Sequence, residues 1–347
     1  SHLRLHCTAK ERLLKWQPIQ SCSTTAGLSE EALKKVLVVL MAGWATGTLS
    51  TYASDLLLFH LFCDEHEVQE QVRCPVDPTM LLAFVAACAG HYSGSTISNS
   101  VHAVRAWHML HGARWAPSCD ELAAVLNGAT RLAPSSSKRA QQDLWIVEMI
   151  CKVCFTLDPE NPFDIAFYSA LTTIFWTMSH SVELLVYGVN NFSLEWNITH
   201  AGIKVETNGE GIPVMVFSLP WTKVSQTGEK VFWARQNGPA DTYAALLTHI
   251  HVNNPPVDKA FFSWRCNGDW KVLTKAAFIK RMELAAAEAG LPKMHGHGLC
   301  IGSVLEYLTW GLSFEQVKHM GHWKGESFAL YLRKHAVVLA PYIQAVP

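Results

Sequence analysis

The sequence predicts a mainly α-helical protein of two domains, with a small antiparallel sheet confined to the second. Three observations carry this. The 347 residues are too many for one ordinary core and suit two domains. Apolar residues recur at helical spacing as far as Leu132 and again beyond Trp145. Short β-branched and aromatic stretches, broken by glycine turns, appear only after Asn190.

Taken in order, residues 1–27 are set aside as an N-terminal extension, and 28–132 read as a helical bundle. Its first helix carries Ala32, Leu33, Val36, Leu37 and Leu40 at helical spacing. Thr46 to Ser50 opens a second, with Tyr52, Leu56, Leu57, Leu58 and Phe59. Pro75 and Pro78 precede a third, Met80 to Ala89. Ser93-Gly94-Ser95-Thr96 opens a fourth through Val101, Val104, Trp107 and Met109, and Asp120 to Leu132 makes a fifth. Residues 133–140, with one proline, three serines and the adjacent Lys138 and Arg139, read as a linker to a second domain at 141–347. There, helices are expected at Trp145–Leu157 and Pro162–Leu185. Strands follow at Phe192–Ile198, Ile203–Glu206, Val214–Leu219 and Lys230–Ala234. Helices return at Thr242–Val252, Thr274–Gly290, His297–Trp310, Ser313–His319 and Ser327–His335.

Composition narrows the function. Hydrophobic residues make up 49% and charged residues 16%, which suits a packed protein and not a disordered tail. No apolar run reaches the ~18–20 residues of a membrane helix, and the first residues lack the apolar stretch of a secretory signal. Ten cysteines without a disulfide framework fit an intracellular protein with reduced thiols. Net charge is −1, with 12 Lys and Arg against 11 Asp and Glu in residues 1–140, and 16 against 18 beyond. A nucleic-acid surface would therefore have to be local, with the acids on another face. Cys151-Lys-Val-Cys154 has zinc or redox spacing but lies in an apolar helix, and reads as two buried core thiols. His249-Ile-His251 and His295-Gly-His297 have metal-like spacing without a supporting carboxylate, so no metal is expected.

The C-terminal third is the most informative stretch. It reads His297-Gly-Leu-Cys300-Ile-Gly-Ser, then a helix, then Met-Gly-His322-Trp-Lys-Gly-Glu-Ser-Phe-Ala-Leu-Tyr331, with Tyr331 nine residues after His322. Upstream stand Ser179-His180-Ser181-Val182-Glu183-Leu184, and Leu219-Pro-Trp-Thr-Lys223 before a Ser-Gln-Thr-Gly turn. In this order the segments resemble the tyrosine recombinase (integrase-like) family, and the helical N-terminal part is similar to the core-binding domain of recombinases from fungal mobile elements. Each residue also has a plainer reading: Tyr331 as a core aromatic, His297 and His322 as capping histidines, and Lys223 as a solvated hairpin lysine.

The resemblance implies a core-binding bundle and a mixed α/β catalytic-type domain that together clamp duplex DNA. A tyrosine attacks a phosphodiester to form a 3′-phosphotyrosine, without metal, nucleotide or other small-molecule cofactor. Tyr331 would be the nucleophile, Lys223 the general acid, and His297 and His322 the phosphate and proton partners. The two arginine positions, which suit phosphate because each guanidinium keeps its charge and its paired donors, are His180 and Cys300 here. The expectation is a DNA-binding protein whose cleavage is lost or very weak. An active recombinase and a non-DNA interaction protein on the same scaffold are the alternatives. Arg105, Lys138, Arg139, Arg333 and Lys334 are the phosphate-contact candidates. The apolar segment after Tyr331 suggests homo-oligomers on DNA, no membrane is implied, and the expected location is nuclear. Arginine-to-histidine and arginine-to-cysteine changes are each one C-to-T-type transition from a CGN codon, the mark of a mobile-element gene altered by cytosine deamination.

Overall fold

The computed structural model describes residues 4–19, 29–137, 143–222, 225, 227–323, 325 and 338. The chain divides into two compact units, 1–140 and 141–347.

In the first unit every described element is a helix: α1 (Ala9–Lys15), α2 (Glu30–Ala42), α3 (Thr46–Glu65), α4 (Pro78–Cys88), α5 (Gly94–Leu110) and α6 (Cys119–Arg131), with one short 3-10 turn at Glu70–Val72 and another at Ser135–Ser137. Polar caps set several starts. Ser29 accepts the Ala32 N–H, Asp77 the Met80 N–H and Ser93 the Thr96 N–H, satisfying amides that the first turn leaves open. Gly94 lets α5 lie against Thr130 of α6, where a Cβ would collide with that residue. The N-terminal stretch is more than an extension. Leu13 and Trp16 are buried in the bundle core, and the Trp107 indole donates to the Trp16 carbonyl at 2.6 Å. Two aromatic or apolar residues just before a polar gap were the available signal. By contrast α2 buries no residue at all, and Val38 and Val39 are about 70% exposed.

The second unit contains α7 (Val147–Cys154), α8 (Pro162–Trp176) and α9 (Ser181–Leu184), then β1 (Ile203–Thr207), β2 (Pro213–Leu219) and β3 (Glu229–Ala234). After these come α10 (Thr242–Val252), β4 (Trp264–Cys266), β5 (Asp269–Lys271), α11 (Lys275–Glu288), α12 (His297–Thr309) and α13 (Phe314–Met320). β1, β2 and β3 form an antiparallel sheet in that order, in register Val205↔Met215 and Phe217↔Val231. Met215, Phe217, Leu219, Val231 and Trp233 enter the core, the alternation expected of a half-buried sheet.

Three elements differ from the sequence expectation. Phe192–Ile198 is a turn and not a strand, because Asn197 folds back: its side chain accepts the Ser193 N–H and its own N–H reaches the Ser193 carbonyl. The helix expected over Pro162–Leu185 breaks after Trp176, where Met178 takes a left-handed φ of 54°. The β4–β5 hairpin was not foreseen, although its Asn267-Gly268 turn, with φ of 52° and 83°, is a strong hairpin signal. The helix expected at Ser327–His335 lies outside the described residues. Val338, beyond it, is buried in this unit's own core. Among the described residues no single helix is long and apolar enough to cross a membrane.

Candidate functional site

The break between α8 and α9 places His180. Tyr307 of α12 donates its hydroxyl to the Trp176 carbonyl at 2.8 Å, and the Cys300 thiol donates to the Ser179 carbonyl at 3.2 Å. The exposed end is closed by Glu183, whose carboxylate accepts the His180 N–H at 2.9 Å while its own N–H returns to the His180 carbonyl. This reciprocal capping uses the three-residue spacing of a capping box, so Glu183 was legible as a positioning residue.

α12 supplies the facing side. It has two glycines where it meets the 143–145 segment. A Cβ on Gly298 would collide with the Asp143 carbonyl, and one on Gly302 with the Trp145 carbonyl. Their absence lets the Trp145 N–H donate to the Gly298 carbonyl and its indole to the His295 carbonyl. With the helix seated this way, His297 at its first turn stacks beside His180, the ring centroids 6.4 Å apart and the planes 12° from parallel. His297 is exposed and His180 half-buried.

Cys300, one turn along, is 2% exposed. Burial pushes its thiol up to about 12, and the Glu183 carboxylate adds to the effect. It is therefore a neutral donor turned to a backbone carbonyl, with no anion or cation to offer a substrate.

His322 stands near the start of β3. It sits after α13 with a left-handed φ of 58°, and its Nδ1 lies 3.7 Å from the Glu229 carboxylate at the start of β3. That carboxylate also accepts the Thr222 hydroxyl at 2.8 Å. Thr222 further accepts the Ser225 N–H, and Gly228, at φ 82°, passes so close to the Leu219 carbonyl that no side chain fits. The described residues Thr222, Ser225 and Gly228 are thus tied to one another and to Glu229. Glu229 and Thr222 were not singled out by the sequence, since no local spacing links them to His322.

The structure brings His180, His297 and Cys300 together. Lys223, Tyr331, Lys138, Arg139, Arg333 and Lys334 lie outside the described residues. Arg105 is exposed on α5. Among the described residues no group of three or more His, Cys, Asp or Glu is placed to hold a metal. His249 is instead a buried structural histidine. Its Nε2 donates to the Phe261 carbonyl at 2.8 Å and its Nδ1 accepts from Asn253 at 3.0 Å.

No protein-family model matches the sequence, and none of the curated proteins does. Solved structures do match. The XerH site-specific recombinase bound to palindromic difH substrate, in a post-cleavage complex, is 14% identical with a TM-score of 0.57, covering 96% of this chain and 93% of that one. The XerH pre-cleavage complex with difH is 15% identical with a TM-score of 0.54, covering 98% of each chain. At such identities the likeness is one of fold: mainly helical with small antiparallel sheets, the chain has the tyrosine recombinase fold.

Proposed function

We propose that this protein binds duplex DNA through a tyrosine recombinase scaffold and has lost strand cleavage, or keeps only a trace of it. The observation that carries the reading is Cys300. At a position the resemblance gives to arginine stands a buried, neutral thiol hydrogen-bonded to Ser179. The other such position, His180, offers an imidazole in place of a permanent fork of donors. Removing one preorganised donor costs roughly 3–4 kcal/mol of transition-state stabilisation. Losing two leaves roughly 5–8 kcal/mol uncompensated if the effects add. Binding is less affected, because contacts to the DNA backbone are spread over many residues. The likeness to XerH in its DNA complexes supports the choice of partner. DNA-dependent homo-oligomers, a nuclear location and descent from a fungal mobile element belong to the same reading.

A second reading has one observation in its favour. His180 and His297 lie nearly parallel, 6.4 Å apart, which would let both imidazoles face one phosphate. This would be an active recombinase with His180 in an arginine's place.

The test is duplex binding at graded salt, run beside a nicked suicide substrate that traps a tyrosine adduct. Salt-sensitive binding without adduct supports the proposal. An adduct abolished by Tyr331→Phe favours the active reading. Absence of binding at low salt overturns both and leaves an interaction protein on this scaffold, which the net charge of −1 would suit.

A further inference from the structure

Cys151 and Cys154 stand one turn apart in α7, at the i, i+3 spacing where helical side chains meet. The sequence reads them as buried core thiols, but both are only half-buried. A cavity of about 240 Å³ opens beside Cys154 between α8, α10 and the loop after α7, lined also by Asp158, Asp164, Ile165, Tyr168 and Pro239. None of His180, His297, Cys300 and His322 lines this cavity, so the pair stands apart from the site described above.

The surroundings treat the two sulfurs differently. Cys154 faces the cavity beside Tyr168, whose hydroxyl is donated to the Pro239 carbonyl. Cys151 does not line the cavity; burial pushes its thiol up, with the nearby Ala240 amide opposing the shift. Cysteines at this spacing approach the Cα separation of ~4.4–6.8 Å that a disulfide spans, and the remaining closure at Cβ is roughly 1–2 Å. That closure falls on the end of α7, where the chain already tightens into i→i+3 bonds from Thr156 to Val153 and from Leu157 to Cys154.

We propose that Cys151 and Cys154 form a redox-active dithiol that a peroxide converts to an intramolecular disulfide, Cys154 reacting with peroxide from the cavity and Cys151 resolving the product. In the first step the Cys154 sulfur attacks one peroxide oxygen and the O–O bond breaks. Sulfur keeps that oxygen as a sulfenic acid, and the other oxygen leaves as water with the thiol proton. In the second, the Cys151 sulfur attacks the Cys154 sulfur, the S–O bond breaks, and hydroxide departs as water with the Cys151 proton. Two thiols lose two electrons and one peroxide becomes two waters. Buried Cys63 and Cys300, with thiols pushed up to about 12, lack both thiolate and access, and serve as internal controls.

The experiment treats the full chain with graded hydrogen peroxide, alkylates the remaining thiols under denaturing conditions and digests with trypsin, which cuts at Lys152 between the two cysteines. The expected result is a pair of peptides joined through Cys151 and Cys154 that part on reduction, at doses that leave Cys63 and Cys300 alkylatable. In Cys151→Ser, Cys154 should accumulate as a sulfenic acid trapped by dimedone. The proposal is overturned if Cys151 and Cys154 both remain alkylatable at doses that oxidise the exposed Cys119. It is equally overturned if either pairs with a different cysteine, or if Cys151→Ser gives no dimedone adduct at Cys154.

Discussion

His180 and Cys300 differ in what they can still offer a phosphate. The imidazole of His180 reaches solvent beside His297, whereas the Cys300 sulfur is committed to Ser179 inside the core. Cys300→Ala should therefore leave duplex-DNA affinity within about twofold while lowering stability by ~1 kcal/mol for the lost buried hydrogen bond, read by a binding isotherm and a denaturant melt. A larger affinity loss would place the thiol at the DNA. His249 gives a pH prediction. Burial holds it down at about 4, against an ordinary value near 6.5, with the Phe261 hydrogen bond opposing the shift. A folded pKa below the unfolded one means the contribution is complete above pH ~6.5 and is lost as pH falls toward 4, about 3 kcal/mol in all. In His249→Gln that loss is absent, so the stability gap between wild type and variant should narrow from pH 7 to pH 5. A gap constant across this range would show that the neutral imidazole is not what the core requires.

Among the elements, α12 bears most on the site, and the α8–α11 contact on stability. Gly302→Ala would drive a methyl into the Trp145 carbonyl. The expected cost is ~1–3 kcal/mol or more, with α12 displaced and the His180–His297 stacking lost. A thermal melt and the imidazole NMR signals would report both, and an unchanged melt would mean the helix can shift freely. Arg281 of α11 grips Asp164 of α8 with two bonds of 2.7 and 3.0 Å and reaches Glu288 with a third. Burial alone would raise the Asp164 carboxyl, but the guanidinium and the Asp158 N–H together hold the group below its ordinary value. Arg281→Ala leaves that carboxylate buried with only the Asp158 N–H as partner and no opposite charge, and should cost ~3 kcal/mol. Arg281→Lys should recover only part of this in a urea titration, because an ammonium cannot reproduce the two-pronged grip. Recovery close to wild type would reduce the contact to simple charge pairing.

For the whole molecule the decisive quantity is local charge, since the net charge is −1. DNA binding on the proposed scaffold needs several phosphate contacts. The slope of log affinity against log salt should then be about −3 or steeper, from roughly −0.9 per phosphate on duplex DNA. A slope near zero would rule out a backbone-tracking surface, whatever the fold.

The sequence by itself determined the mainly helical character, the start of α5 at Ser93, three of the four strands it expected of a small antiparallel sheet, and the order of the recombinase-like segments. These are local properties: hydrophobic period, capping side chains and turn residues act within a few positions of one another. What it did not yield depends on distant partners. Trp16 enters the core because the Trp107 indole, 91 residues away, needs its carbonyl. The α8 helix stops where Tyr307 and Cys300 of α12 take the Trp176 and Ser179 carbonyls. Glu229 stands beside His322 because β3 and the turn after α13 converge. The tertiary structure alone decided that Cys300 is a buried thiol and His180 a half-exposed ring, because burial, and with it ionisation, is set by what packs around a residue and not by its neighbours in the chain.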